Sequence, residues 1–378
     1  MSDASVLAYF GDGPERVYQF LQWLPVLDVL DQSQPVNVVL RDPGTAAVVR
    51  PRTGLPVLVA EPFAELRALY AELDAAVGLY CNNSPRNFES LLEPRMLHVH
   101  VSHGESDKHS SASNNAKAYD RVFVAGEAAV QRYRHGLLDF DTDRLVRIGR
   151  PQLDLRPPAV LPPSSRRTVI YAPTFEGDAD YNNYSSIDVL GPEIVGRLLA
   201  VPDVRLVYKP HPRIPHSQDP FVRSAHREVV RLVTEATERD PGAWHAVLED
   251  ADILAVLPDC DAMVTDVSSV GLDWLYLRTD QPLFVVDRHE DIARLHAEVP
   301  VSQCADVVDS TTVAGLGDLV AARLEHDELR PARAAMRRHY FDDVAVGEST
   351  TRFVDAVRDL VSLRDRLLEA KTETGALN

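Results

Sequence analysis

Two stretches of the second half carry residues able to grip a phosphate. The apolar run Val204 to Val207 leads into Tyr208-Lys209-Pro210-His211-Pro212-Arg213. Lys209, His211 and Arg213 can each give a charge-assisted hydrogen bond to a phosphate oxygen, worth roughly 1.5 to 3 kcal/mol apiece. Pro210 and Pro212 restrict the backbone, which holds the imidazole in place before a ligand arrives. The rival reading is a surface turn with a basic flavour. Further on, Met263 to Asp287 reads as strand, turn, helix, strand, a βαβ unit whose helix opens with Ser268 and Ser269 and turns Leu272, Leu275 and Tyr276 inward. Two hydroxyls and several unpaired amides at a helix N-terminus suit a phosphate or pyrophosphate. Taken alone, the serine pair would more simply cap the helix. Two such turns at strand ends of one sheet converge on one crevice.

A third stretch lies in the first half, where Val101-Ser102-His103-Gly104 closes an apolar run and opens a polar one from Glu105 to Lys117. His98, His100, His103 and His109 raise the question of a metal. A strand that alternates sides offers no helical His-x-x-x-His face, and carboxylates nearby are few, so no metal is expected. An imidazole of near-neutral pKa that takes a proton from a hydroxyl nucleophile is the preferred role for His103, worth on the order of a hundred- to ten-thousandfold in rate. A satisfied histidine at a strand end has equal weight from this stretch alone.

The elements that must position these residues alternate strand and helix. Val6 to Phe10, Val36 to Leu40, Val57 to Val59, Ala76 to Tyr80, Met96 to Val101 and Arg121 to Ala125 read as strands. Glu15 to Leu24, ended by Pro25, and Phe63 to Leu73 read as helices, with another pattern near Ala116 and one through Tyr133. Strand and helix alternating in this way imply a doubly wound parallel sheet. Prolines 151, 157, 158, 162 and 163 cannot sustain a helix or central strand, so the linker is placed between Gly149 and Arg167. A second α/β segment follows: a strand at Thr168 to Ala172, a polar loop from Gly177 to Ser186, helices at Pro192 to Leu199 and Arg223 to Thr237, the unit described above, a helix at Val313 to Leu324 and a charged helical tail at Phe353 to Ala370.

A chain of 378 residues allows two cores, and its net charge of -18 argues against nucleic-acid binding by bulk attraction. No apolar run has membrane-spanning length and the amino terminus lacks the pattern of a secretion signal, so a cytoplasmic protein is expected, with peripheral contact at the inner face of the membrane left open. Cys81, Cys260 and Cys304 lie far apart, which fits buried small apolar residues better than a zinc ribbon or a disulfide framework.

Together the motifs carry a resemblance. Tyr171-Ala172-Pro173-Thr174-Phe175, Lys209-Pro210-His211-Pro212 and Thr265-Asp266-Val267-Ser268-Ser269, followed by Asp273, Pro282 and Asp287, resemble the ordered motifs of the CDP-glycerol glycerophosphotransferase family, the teichoic acid primases and polymerases. The resemblance implies a GT-B fold: two Rossmann-like domains facing a central cleft, here residues 1–155 on the acceptor side and 165–340 on the nucleotide side, with a C-terminal helical segment, 341–378, crossing back. It also implies that His211 contacts the donor pyrophosphate and that Ser268 and Ser269 contact the donor phosphates, with Thr174, Lys209, Arg213 and Asp266 alongside. His103-Gly104 resembles the family's His-Gly-Thr motif, whose histidine is the proposed base, and Lys108 its lysine. Glu105 and Ser106 stand where the family has Thr and Pro. Gly347 to Arg352 resembles the last motif, which sets Ser349, Thr350 and Arg352 near the donor.

The expectation is therefore an enzyme that moves a polyol phosphate, glycerol phosphate first among the choices, from a CDP-linked donor to a hydroxyl of a glycan, polyol-phosphate or lipid-linked acceptor, releasing CMP with no further cofactor. His103 and His211 are the expected catalytic pair, facing one another across a shared gap. A GT-B glycosyltransferase or sugar-nucleotide epimerase, and a nucleotide-binding protein without turnover, are the alternatives.

Overall fold

The computed structural model describes residues 5–108, 111–177 and 182–373. His109, Ser110 and the centre of the Gly177 to Ser186 loop therefore lie outside the described residues. The chain divides into two compact units. Unit 1 holds the residues up to Glu105, Ala112–Leu155 and those from Tyr340 on; unit 2 holds Ser106–Ser111 and Arg156–His339.

Unit 1 is built on seven strands, β1 (Val6–Phe10), β2 (Val36–Leu40), β3 (Val57–Val59), β4 (Val77–Tyr80), β5 (Leu97–His100), β6 (Arg121–Val124) and β7 (Leu145–Arg147). All pair parallel, in the order β3-β2-β1-β4-β5-β6-β7. β1, β2 and β4 are buried throughout, as continuous Val/Leu-rich runs in a parallel sheet covered on both faces should be. The tail expected to be charged and helical is the helix Glu348–Glu373, and its apolar stripe Phe353, Val357 and Leu360 belongs to the core of this unit. Phe353 lies 5.2 Å from Trp23, ring centre to ring centre, and Arg364 ties the helix to the carboxylate of Asp74 at 2.6 Å.

Unit 2 has six strands, β8 (Arg167–Ala172), β9 (Val204–Tyr208), β10 (Ala246–Val247), β11 (Ala262–Thr265), β12 (Leu283–Val286) and β13 (Asp306–Val308), again all parallel, in the order β10-β9-β8-β11-β12-β13. β11, the helix Ser269–Leu277 and β12 form the expected βαβ unit. Every element here feeds one edge: the loops after β8, β9 and β11 leave from neighbouring strands on the same side of the sheet.

Three expectations are corrected. Pro25 does not end a helix but sits in the first turn of one, Leu24–Asp31, where its missing N–H has no partner to lose. Pro151 likewise starts the short helix Pro151–Asp154 inside the stretch read as linker. The pattern near Ala116 is a 3-10 turn, Asn114–Ala118, rather than an α-helix. The cysteines are free thiols, all buried, as expected.

Candidate active site

The edge of unit 2 gathers side chains from four segments. Thr174, two residues past β8, donates its backbone N–H to Asp266 Oδ2 at 2.7 Å and accepts Lys108 Nζ on its hydroxyl at 3.1 Å. Asp266, one residue past β11, also accepts the N–H of Ser186 at 3.1 Å, while its Oδ1 is buried without a hydrogen-bond partner. Burial pushes the Asp266 carboxyl up to about 7 against the pull of its hydrogen bonds and of Lys108. Burial also brings the Lys108 ammonium down to about 8, with Asp266 opposing. Lys108 stands over the faces of Phe175 (5.3 Å) and Tyr184 (5.8 Å), where the negative ring quadrupoles favour a cation.

Phe175 is the platform of this edge. The His211 ring packs against it at 4.7 Å and the Arg213 guanidinium covers it at 4.2 Å. His211 Nδ1 accepts the backbone N–H of Arg213 at 3.1 Å, a bond that leaves the proton of the neutral ring on Nε2 and makes that nitrogen a donor. Its own N–H bonds Pro173 O at 3.1 Å, fastening the loop after β9 to the loop after β8. Lys209 is buried, and its ammonium donates to the carbonyls of Pro210 and Glu249 at 3.0 and 3.1 Å, so it braces the turn that carries His211. Burial brings its pKa down to about 8.

Ser268 occupies the N-cap position of the helix Ser269–Leu277, yet its hydroxyl caps no amide, contrary to the simpler reading. It lies 3.5 Å from the Thr265 hydroxyl. The loop after β8 closes through Gly177, whose φ of +76° and 2.6 Å approach to the Asn182 carbonyl, measured from where a Cβ would stand, admit no larger residue. Within that loop Glu176 Oε2 and Asn182 Oδ1 are buried acceptors without partners, as is Asp266 Oδ1.

Unit 1 carries His103 and Gly104 on the loop after β5. Ser102 takes a left-handed φ of +53°, its carbonyl accepts the Trp23 indole N–H at 2.7 Å, and its hydroxyl bonds Gly104 O at 2.9 Å, which locks the turn. His103 keeps part of its surface open while Nδ1 is buried and unpartnered. Its pKa is not near neutral as expected: burial and the neighbouring Arg150 push it down to about 4. The imidazole is thus neutral at pH 7. Glu105, where the family motif has Thr, is buried in an ion pair with Arg132.

Ser349 and Thr350 hold the C-terminal helix in place within unit 1. Ser349 Oγ accepts the N–H of Arg150 at 3.0 Å, Thr350 Oγ1 donates to Pro151 O at 3.3 Å, and the Asp154 carboxylate accepts the N–H groups of Gly347 and Thr350 at 2.7 and 2.6 Å. The anion at this helix start is therefore the chain's own. Arg352 pairs with Glu348 one turn earlier. Among the described residues no three of His, Cys, Asp or Glu stand close enough to hold a metal ion. No helix among them is long and apolar enough to cross a membrane.

Comparison with solved structures places the fold. A structure of the wall teichoic acid polymerase TagF soaked with CDPG superposes with a TM-score of 0.56 at 13% identity, over 96% of this chain and 90% of that one. A UDP-N-acetylglucosamine 2-epimerase from Listeria monocytogenes gives 0.59 at 14%, over 93% and 95%; HepE of Anabaena in complex with UDP-glucose gives 0.54 at 13%, over 93% and 99%. The fold is GT-B-like, as expected, and at such identities these likenesses speak for the fold alone. No sequence among curated proteins matches. The sequence family described as CDP-Glycerol:Poly(glycerophosphate) glycerophosphotransferase matches residues 98–358, from the start of β5 into the C-terminal helix and across all three motif stretches. The chain belongs to that enzyme family.

Proposed function

We propose that this protein transfers glycerol phosphate from CDP-glycerol to a hydroxyl of a growing or priming acceptor, with release of CMP. The acceptor oxygen attacks the phosphorus that bears glycerol, a new P–O ester bond forms, the bond to the CMP oxygen breaks, and the hydroxyl proton passes to His103. Catalysis at phosphorus of this kind rests on positioning and on neutralising charge. His211 Nε2–H, Arg213, Lys108 and the amides and hydroxyls of Ser268 and Ser269 supply that neutralisation at one sheet edge. The observation that carries the reading is the edge itself: a proton-bearing imidazole, two cations stacked on Phe175 and an uncapped helix start, all on loops from β8, β9 and β11 or the Lys108 segment. The unpartnered acceptors Glu176 Oε2 and Asn182 Oδ1 favour a ligand rich in hydroxyl or amino donors, as a cytidine-linked polyol is.

The reading requires His103 to reach the donor phosphorus during turnover. Lys108 follows His103 by five positions, and an extended chain spans at most about 3.6 Å per residue, which bounds the separation of their Cα atoms at roughly 18 Å. The acceptor chain and the membrane at which it is assembled belong to the same proposal.

A panel of CDP-, UDP- and GDP-linked donors tests the donor assignment through thermal stabilisation, because a ligand bound only by the folded state raises its apparent stability. CDP-glycerol should raise the melting temperature most, and His211→Ala should remove the gain. Equal stabilisation by UDP-glucose, or a gain that survives His211→Ala together with Ser268→Ala, would defeat the assignment.

A further inference from the structure

The turn that carries His211 is tied to two residues that none of the motifs includes. Tyr208 closes β9, and its buried hydroxyl lies 3.0 Å from Nδ1 of His226, in the second turn of the helix Pro220–Arg239. The other ring nitrogen, Nε2, lies 3.2 Å from Glu249 Oε1, in the loop after β10. A carboxylate accepts and does not donate, so Nε2 carries the ring proton. Burial keeps the His226 pKa below the ordinary histidine value, with Glu249 opposing and Arg227 assisting. Nδ1 of the neutral ring then accepts the Tyr208 hydroxyl, whose own burial pushes its pKa up and keeps it a donor. Both nitrogens are used, and the tautomer is fixed.

The consequence lies in what Tyr208 and Glu249 hold. The Glu249 carbonyl accepts the Lys209 ammonium at 3.1 Å, and the same ammonium reaches Pro210 O at 3.0 Å, so one cation clasps the turn directly before His211. The Tyr208 carbonyl accepts the N–H of Leu248, the residue before Glu249, at 2.9 Å. The His226 ring packs on Tyr208 at 5.8 Å, Tyr208 stacks on Tyr171 at 5.9 Å, and the Tyr171 hydroxyl meets Ser186 Oγ at 2.7 Å, where the Ser186 N–H bonds Asp266. A phenylalanine would fill the same space. Only a ring with an acceptor at one nitrogen and a donor at the other links a hydroxyl to a carboxylate across it.

We propose that His226 is a positioning residue for the donor: through Tyr208, Glu249 and Lys209 it holds the Lys209-Pro210-His211 turn, so that His211 meets the diphosphate with the loop already ordered. The assignment rests on the transfer reading above, in which His211 contacts the donor, and it adds the device that keeps this contact in place. His226 and Glu249 act through Lys209 and are not catalytic residues.

Calorimetry with CDP-glycerol, melting temperatures and long-range proton–nitrogen NMR of the imidazoles test it on the full chain. His226→Phe keeps the ring volume and removes both hydrogen bonds. Its donor Kd should rise on the order of tenfold, with kcat at saturating donor unchanged, and combining it with Glu249→Ala should add nothing, because both cut one hydrogen-bonded path. His226→Gln, which keeps a donor for Glu249, should restore most of the affinity. His211 should show the Nε2–H tautomer pattern in the unaltered protein and move toward the averaged pattern in His226→Phe. Should His226→Phe not fold, Glu249→Ala, altered at a partly open side chain, decides on the same two readings. Lowered melting temperatures with donor affinity and the His211 pattern unchanged would make the triad a scaffold only and overturn the proposal, as would losses that add in the double variant. Failure of the transfer reading has a different signature, no binding of CDP-glycerol by the unaltered protein while the His211 pattern still changes in His226→Phe.

Discussion

The backbone N–H of Thr174 meets Asp266 Oδ2 at 2.7 Å, so a buried carboxylate joins the loops after β8 and β11. That carboxyl sits at about 7 because burial disfavours its charge. The folded protein then holds a proton between pH 4 and 7 that the unfolded chain, with an ordinary aspartate near 3.9, has shed. The stability Asp266 lends is present in acid and lost as pH rises through about 7. Urea unfolding at pH 5 and pH 8 should show the unaltered protein losing more stability than Asp266→Asn across that interval; equal losses would contradict the assignment.

Histidines 100 and 103 act in the opposite sense. Their pKa values lie near 4, below the ordinary 6.5, so their contribution is full above 6.5 and lost as pH falls through 4. His100→Gln should flatten the acid limb of the unfolding curve between pH 6.5 and 4, and an unchanged limb would place the acid sensitivity elsewhere.

Lys108 should carry the alkaline limb of donor binding. Its ammonium, lowered to about 8, donates to Thr174 Oγ1 and is the charged form only below that pH. Calorimetric affinity for CDP-glycerol should weaken as pH rises above about 8. Lys108→Met should cost roughly tenfold to a hundredfold at pH 7, the value of one charge-assisted bond, and remove the limb. A limb that persists in Lys108→Met would assign it to another group.

The junction at Gly149 is structural. Its φ is +76°, and a Cβ there would come within 2.1 Å of Ser349 Oγ. Gly149→Ala and Asp154→Ala should each lower stability, the latter by about 1.5–3 kcal/mol for each of the two hydrogen bonds lost from a carboxylate, with donor affinity unaltered. A variant of normal stability and weakened donor binding would return Ser349 and Thr350 to the donor.

Much of this was legible in the residues. Continuous Val/Leu runs marked the strands of both sheets because parallel strands bury both faces, and Thr265 to Ser269 marked the β11 turn because helix starts select hydroxyls. The helix Pro43–Val49, capped by Asp42, starts at Asp42-Pro43-Gly44, residue types that serve a turn as readily as a helix start. Ser349 and Thr350 matched a motif, but only coordinates reveal that their hydroxyls meet Arg150 and Pro151. Asp12 is an ordinary loop residue far in sequence from Asn82 and Ser84; strand order alone joins it to them. The depressed His103 pKa depends on burial and Arg150, which no local pattern encodes.

The central claim is phosphorus transfer, and the nucleotide set free tests it most directly. Incubated with CDP-glycerol and a hydroxyl-terminated oligo(glycerol phosphate), the protein should release CMP in step with new phosphodiester seen by phosphorus NMR, and His103→Ala should abolish both. Release of CDP in place of CMP, or full turnover in His103→Ala, would contradict it.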